Sequence, residues 1–182
     1  MATRLLRLAI PVAAVLLATA CGAGGSGSEG RASADLPVSP APAAESRLAV
    51  LPTHTLDGTR LDTAALDGQG VVLWFWAPWC TICRAEAPDV AKVADQLAGE
   101  VTFVGVPGLG AESEMRAFVA DTGVQGVTHV PDLDGEVWRA YGIVSQPAFV
   151  FISPDGTATS FTGSLGADKL LEAARTMTVD PA

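Results

Sequence analysis

Cysteine, histidine and tyrosine are scarce in this chain of 182 residues, which contains three cysteines, two histidines and one tyrosine. A structural zinc site needs four ligands, usually drawn from pairs of cysteines and histidines. The chain has no second cysteine pair, and His54 and His129 lie far from the cysteines at unrelated spacings. We therefore expect no metal site.

Basic residues are also few, since 11 lysines and arginines stand against 20 aspartates and glutamates and the formal net charge is −9 at pH 7. Proteins that bind nucleic acid usually present clustered positive charge to the phosphate backbone. This charge balance argues against binding to nucleic acid.

A long apolar stretch is missing as well. The run from Leu8 to Leu17 is shorter than the roughly 20 residues that span a bilayer, and it contains Pro11. Two arginines precede this run, and small residues follow it directly before Cys21, which is the pattern of an export signal. We expect residues 1–20 to be a signal peptide that directs the protein out of the cytoplasm.

Cys21 resembles the lipid-accepting cysteine of bacterial lipoproteins, because it stands at the expected cleavage point with Gly22 behind it. Such signals usually carry leucine three residues before the cysteine, where this chain has Ala18, and residues 18–20 also suit ordinary signal cleavage. Lipidation explains a cysteine at this position, so we expect a lipid anchor on Cys21 that holds the protein at the bacterial cell membrane. Release as a secreted protein is the alternative.

Composition divides the remainder of the chain into two parts. Residues 21–46 consist mostly of Gly, Ser, Ala and Pro, and such a segment is too poor in large apolar side chains to fold. We expect a disordered tether there and one folded domain over residues 47–179.

Because no apolar span follows the signal, we expect the protein to exchange electrons with a separate membrane redox partner. We expect the protein to be a monomer.

The folded part predicts alternating strands and helices. Strands are predicted where apolar residues run continuously or flank turn signals, at 71–76, 101–106, 148–152 and 157–162. Helices are predicted where apolar residues recur every three or four positions, at about 80–97, 112–121, 136–141 and 167–177. Asp57-Gly58 predicts a small N-terminal hairpin. These elements favour a mixed sheet covered by helices on both faces.

Cys80 and Cys83 form a C-x-x-C pair at the predicted start of a helix. Residues three apart lie on one helix face, so both sulfur atoms are within disulfide reach. The unpaired N–H groups and the macrodipole at a helix N-terminus favour the thiolate of the first cysteine. Cys80 is therefore the predicted nucleophile and Cys83 the resolving thiol.

A C-x-x-C pair also occurs in haem attachment sites and in structural disulfides. Haem attachment requires a histidine directly after the second cysteine, where this chain has Arg84. A structural disulfide that closes only two residues would add little stability, because stabilisation grows with loop length. A redox-active disulfide without another cofactor is the favoured interpretation.

The segment Phe75–Cys83, FWAPWCTIC, follows an apolar strand and resembles the active site of the thioredoxin superfamily. The lipoprotein-like leader, the N-terminal hairpin and the spacing from Cys83 to Pro88 are similar to the bacterial extracytoplasmic subgroup of TlpA, ResA and DsbE type. This resemblance covers Leu48 to Met177. It implies a thioredoxin-like three-layer α/β/α sandwich with a mixed central sheet and an N-terminal β-hairpin.

The same resemblance implies a substrate-binding surface around the disulfide. Gln146-Pro147 matches the place of a cis-proline that lies opposite the cysteines and presents its backbone to the substrate. Trp79, Thr81 and Ile82 would flank the reactive sulfur. A trans proline that merely begins a strand is the alternative for Pro147.

Glu86 matches a glutamate that lies below the disulfide in the subgroup. Burial there would raise its pKa and make it a proton acceptor for Cys83. Thioredoxin itself carries a buried aspartate at the position of Trp74, so the acceptor in this chain must come from elsewhere. A solvated glutamate on the helix surface is the alternative.

These residues predict an exported thiol–disulfide oxidoreductase whose substrates are extracytoplasmic proteins with cysteines. Oxidation is the favoured direction, because disulfides persist outside the cytoplasm and a helix-start thiolate stabilises the reduced pair. One alternative is a dedicated thiol reductant, for example of apocytochromes during cytochrome c maturation. Another is a noncatalytic surface lipoprotein that keeps the fold as a binding module.

A peroxiredoxin is a rival function on the same scaffold, but it requires a threonine three residues before its cysteine, where this chain has Ala77.

Overall fold

The structure is a computed structural model in which residues 47–177 are described. The expected signal peptide, the expected tether with Cys21, and residues 178–179 lie outside the described residues. Within residues 47–177, no helix has both the length and the apolar character needed to cross a membrane.

The described part contains five strands, four α-helices and two short 3₁₀ helices. The strands are β1 (Gly70–Trp76), β2 (Val101–Pro107), β3 (Thr128–His129), β4 (Ala148–Ile152) and β5 (Ala158–Thr162). The α-helices are α1 (Thr81–Gln96), α2 (Glu112–Thr122), α3 (Glu136–Ala140) and α4 (Gly166–Thr176), and the 3₁₀ helices are Leu48–Val50 and Thr63–Leu66.

The strands form one mixed sheet in the order β3-β2-β1-β4-β5. Strand β1 pairs in parallel with β2, so that Gly70 is opposite Val101, and antiparallel with β4, so that Phe75 is opposite Ala148. The β2–β3 pair is parallel and the β4–β5 pair is antiparallel. The predicted mixed sheet is therefore confirmed.

Strand β1 is buried along its whole length because both faces of the sheet are covered. Alternate residues beginning with Val72 pack against α1, α2 and α4 in one hydrophobic cluster. The set beginning with Val71 packs against α3 and the two 3₁₀ helices in a second cluster. Each large side chain buried in this way contributes roughly 1.5–3 kcal/mol to folding. This layering confirms the predicted thioredoxin-like sandwich.

The predicted N-terminal hairpin is smaller in the structure than the sequence suggests. His54 and Arg60 form a single antiparallel bridge rather than two paired strands. The Asp57 carboxylate closes the turn by accepting hydrogen bonds from the hydroxyl groups of Thr55 and Thr59 and from the Thr59 N–H. These side-chain contacts complete the turn within a few residues, so a longer strand pair is not needed to hold it.

His129, in the two-residue strand β3, is buried and electrically neutral. Its Nε2 atom lies 3.0 Å from the carbonyl oxygen of Val124, and because a carbonyl only accepts, Nε2 carries the proton. Burial lowers the pKa of His129 to about 4. A Cβ atom at Gly105 would lie 2.0 Å from His129 Nδ1, so this close approach requires glycine.

Candidate active site

The site begins where β1 ends. Trp76 is the last residue of β1, and a short turn brings the chain to Cys80, which caps the N-terminus of α1. The Cys80 N–H donates to the Ala77 carbonyl over 3.0 Å, which fixes this turn. Because β1 is held on both sides by pairing, the sheet places Cys80 at its carboxyl edge.

Cys80 and Cys83 are joined by a disulfide with a Cα–Cα distance of 5.3 Å. The Cys80 Sγ atom accepts a hydrogen bond of 3.0 Å from the backbone N–H of Cys83. Cys80 is 6% exposed and Cys83 is 0% exposed, so an incoming thiolate can reach only the sulfur of Cys80. When the bond is reduced, the same N–H and the helix N-terminus stabilise a negative charge on Cys80.

Glu86 lies one helical turn after Cys83 and is buried. Its Oε1 atom accepts a hydrogen bond of 2.8 Å from the backbone N–H of Leu165, just before α4. Burial raises the pKa of Glu86 above its ordinary value, although hydrogen bonding to Leu165 and to its neighbour Ser164 opposes that rise. The structure therefore places Glu86 in the core rather than on a solvated helix surface.

The second carboxylate oxygen of Glu86 has no hydrogen-bond partner among the described residues. The indole N–H of Trp74 is also buried and unpartnered there, and it lies near enough to Glu86 to favour the ionised carboxylate. Trp74 stands at the sequence position where thioredoxin has its buried aspartate, and its indole N–H favours the ionised form of the Glu86 carboxyl group.

Pro147 reaches the same edge of the sheet from β4. The Gln146-Pro147 peptide bond is cis, which is the geometry that the family resemblance implies. Ala148 pairs with Phe75, so Pro147 lies beside the end of β1 and the turn that leads to Cys80. The carbonyl of Pro147 accepts a hydrogen bond of 2.8 Å from Gly163, which ties this loop to the end of β5. Pro147 is buried and Gln146 half-buried.

The surface around Cys80 is apolar. Trp79 is 60% exposed and Ile82 is 57% exposed, and Thr81 between the cysteines is also exposed. The Trp79 indole N–H donates a hydrogen bond of 2.8 Å to the carbonyl of Leu109, in the loop between β2 and α2. Sequence analysis assigned no role to Leu109, since a leucine between two glycines carries no recognisable signal for a site.

Arg84 is a second residue to which the sequence analysis assigned no role at the site. Its guanidinium lies 5.0 Å from the centre of the Phe118 ring, and its Nη1 atom is 3.3 Å from an Asp121 carboxylate oxygen. These contacts hold the first turn of α1 against α2. Within residues 47–177, no group of three or more His, Cys, Asp or Glu side chains is placed to hold a metal ion.

Comparison with known proteins identifies relatives with related sites. Residues 39–160 match the AhpC/TSA family. The soluble secreted antigen MPT53 of Mycobacterium tuberculosis is 44% identical over 64% of this chain and 66% of its own length. The thiol-disulfide oxidoreductase ResA of Oceanobacillus iheyensis is 33% identical over 65% of this chain and 62% of its own length. The matched region thus spans roughly two thirds of these curated relatives.

A solved structure shares the fold along nearly its whole length. It belongs to a secreted disulfide oxidoreductase of Mycobacterium tuberculosis that is described as homologous to DsbE of E. coli. The two chains are 38% identical with a TM-score of 0.67, and the match covers 73% of this chain and 99% of the other.

We predict that Glu86→Gln makes the oxidised protein more stable at pH 7. Because the folded-state pKa of Glu86 is raised, the unfolded chain ionises first as the pH rises above about 4.5. The wild type therefore loses stability between that pH and the higher folded-state pKa, whereas the glutamine variant does not. Urea unfolding at pH 4 and pH 7 measures the difference, which should be larger at pH 7.

The exposed Glu100→Gln variant is the matched control and should follow the wild type at both pH values. If Glu86→Gln instead lowers stability at pH 7, the hydrogen bond from Leu165 outweighs burial and the stated origin of the shift is wrong.

Proposed function

The chain belongs to the AhpC/TSA family, and we propose that it is an exported thiol–disulfide oxidoreductase acting on extracytoplasmic proteins. The observation that carries the proposal is the disulfide between Cys80, which caps the helix and is 6% exposed, and Cys83, which is completely buried. The secreted mycobacterial relative and ResA, both described as oxidoreductases, support it.

In the oxidising direction, a substrate thiolate attacks Cys80 Sγ, and the bond between Cys80 and Cys83 breaks. Cys83 leaves as a thiolate and takes a proton, for which Glu86 in its protonated form is the nearby source. A second substrate thiolate then attacks the substrate sulfur of the mixed disulfide and releases Cys80 as a thiolate. The substrate is oxidised by two electrons, and the cysteine pair is reduced by two.

In the reducing direction the same steps run backwards. The Cys80 thiolate attacks a substrate disulfide, Glu86 accepts the proton of Cys83, and the Cys83 thiolate then attacks Cys80. Trp79, Thr81 and Ile82 contact the substrate on one side of the disulfide, while Gln146 and the cis Pro147 contact it on the other. No other cofactor is required. After each cycle a separate redox partner in the membrane restores the cysteine pair, taking electrons from it in the oxidising direction and supplying them in the reducing direction.

Oxidation is the direction that we favour. The N-terminus of α1 and the Cys83 N–H stabilise the reduced form of Cys80, and a stabilised reduced form raises the reduction potential. The buried carboxyl group of Glu86 acts against this, because its anion would disfavour a second negative charge nearby. A dedicated thiol reductant, for example of apocytochromes, uses the same residues and is the alternative.

We also propose that the mature protein is held at the bacterial cell membrane by lipid on Cys21. The proposal rests on the position of that cysteine at the end of the signal-like segment.

We predict that Cys83→Ser accumulates mixed disulfides with proteins that carry a disulfide, because the Cys80 thiolate can still attack that disulfide and release one of its sulfurs while the resolving thiol is absent. Cys80→Ser should accumulate none, because Cys83 is completely buried. Non-reducing electrophoresis after acid quenching detects the adducts, and the double variant is the blank. Adducts on Cys83 alone would reverse the two roles, and a wild type without dithiol turnover would favour a noncatalytic binding module.

We predict a reduction potential above that of thioredoxin, within the range of about −270 to −120 mV that such sites span. Equilibration against glutathione gives the potential, and refolding of a reduced disulfide protein gives the direction. A potential near −270 mV without oxidative refolding would make the protein a reductant.

We predict that Cys21→Ser moves the protein from the detergent phase to the aqueous phase in a detergent partition experiment. The lipid chains supply the affinity for the detergent, so their loss should abolish it. Partitioning that is the same in both proteins would favour the secreted alternative.

A further inference from the structure

Leu109 has a backbone conformation that is unusual for its residue type. Its φ angle is +58°, in the left-handed region, and it is the only non-glycine residue of the described part with a positive φ. Strained residues of this kind persist where the surrounding structure enforces them, often at functional sites. Its side chain is 58% exposed, so little of this leucine contributes to the core.

The two neighbours of Leu109 are glycines that the structure packs without space for a side chain. A Cβ atom at Gly108 would lie 2.8 Å from Trp138 Nε1, and one at Gly110 would lie 2.4 Å from Pro78 Cγ. The Gly108 N–H also donates to the Trp76 carbonyl over 3.0 Å. The loop is therefore clamped against the end of β1 and the turn that carries Cys80.

Leu109 is joined to the active site by its carbonyl oxygen, which accepts the hydrogen bond from the Trp79 indole. That bond orients the Trp79 ring directly beside Cys80. Leu109 and Trp79 are both more than half exposed. We call this pair the apolar wall. Trp79 directly precedes Cys80 in the chain, and the hydrogen bond from its indole brings the Leu109 backbone to the active-site turn.

We propose that the apolar wall binds a large apolar side chain adjacent to the reacting cysteine of the substrate, and that Leu109 determines this specificity. The inference rests on the proposed function and narrows its substrates. Cysteines and large apolar residues are buried together in folded proteins but exposed in unfolded chains. The preferred substrates are therefore chains in which a large apolar residue is exposed next to the reacting cysteine.

The test uses the oxidised protein and two soluble cysteine peptides that differ only in the residue after the cysteine, which is Phe in one and Ser in the other. We expect the second-order rate constant for attack on the wild-type disulfide to be roughly tenfold higher for the Phe peptide than for the Ser peptide, as is typical of apolar subsites. Leu109→Gly removes the side chain, keeps the carbonyl that holds Trp79 and suits the positive φ. It should reduce the ratio to about one.

Dithiothreitol is the control for the chemistry, because it is too small to use the wall and should react equally with the wild type and Leu109→Gly. Leu133→Ser is the matched surface control, since Leu133 is 59% exposed on another loop. An unchanged peptide ratio in Leu109→Gly, or an equal loss in Leu133→Ser, would overturn the proposal. A wild type that reacts with neither peptide nor dithiothreitol would contradict the oxidoreductase function itself.

Discussion

The hydrogen bond from the Cys83 N–H to Cys80 Sγ is the contact on which the site depends. An N-cap side chain is usually an oxygen acceptor, and here a sulfur atom takes that place. The pairing of β1 with β2 and β4 fixes where β1 ends, which in turn fixes where α1 can begin. The antiparallel partner β4 brings Pro147 to the same edge. Because Cys80 Sγ accepts the hydrogen bond from the Cys83 N–H, the reactive sulfur itself caps the N-terminus of α1.

The sequence predicts those parts of the fold and of the site that a short stretch of residues identifies by itself. The apolar run of β1 and the C-x-x-C spacing each identify one element without reference to the others. Strand β3 has two residues, which is too short for any periodic pattern, so only its pairing with β2 reveals it. Leu109 was missed for a related reason, because its importance comes from a backbone angle and a hydrogen bond to a residue 30 positions away. Family resemblance, not periodicity, pointed to Glu86.

Burial shifts the pKa values of two titratable groups in the core, His129 and Glu86, in opposite directions. His129 would ordinarily titrate near neutral pH, but burial lowers its pKa to about 4 and keeps it uncharged. Glu86 would ordinarily be ionised at neutral pH, but burial raises its pKa above the ordinary value. Both shifts follow from the cost of charge in a medium of low polarity. Glu86, one helical turn after Cys83, is the group to which we assign proton exchange with that thiol in the proposed mechanism.

The tight packing of Gly105, Gly108 and Gly110 limits how this stretch of chain can evolve. Side chains at these positions would meet His129, Trp138 and Pro78, respectively. Substitutions there would disturb the sheet or the active-site turn and be removed by selection for folding. Leu109 lies among them with its side chain more than half exposed, so packing does not restrict this side chain, although the positive φ disfavours β-branched residues there. Descendants of this protein can acquire new substrate preferences at that position while the fold is left intact.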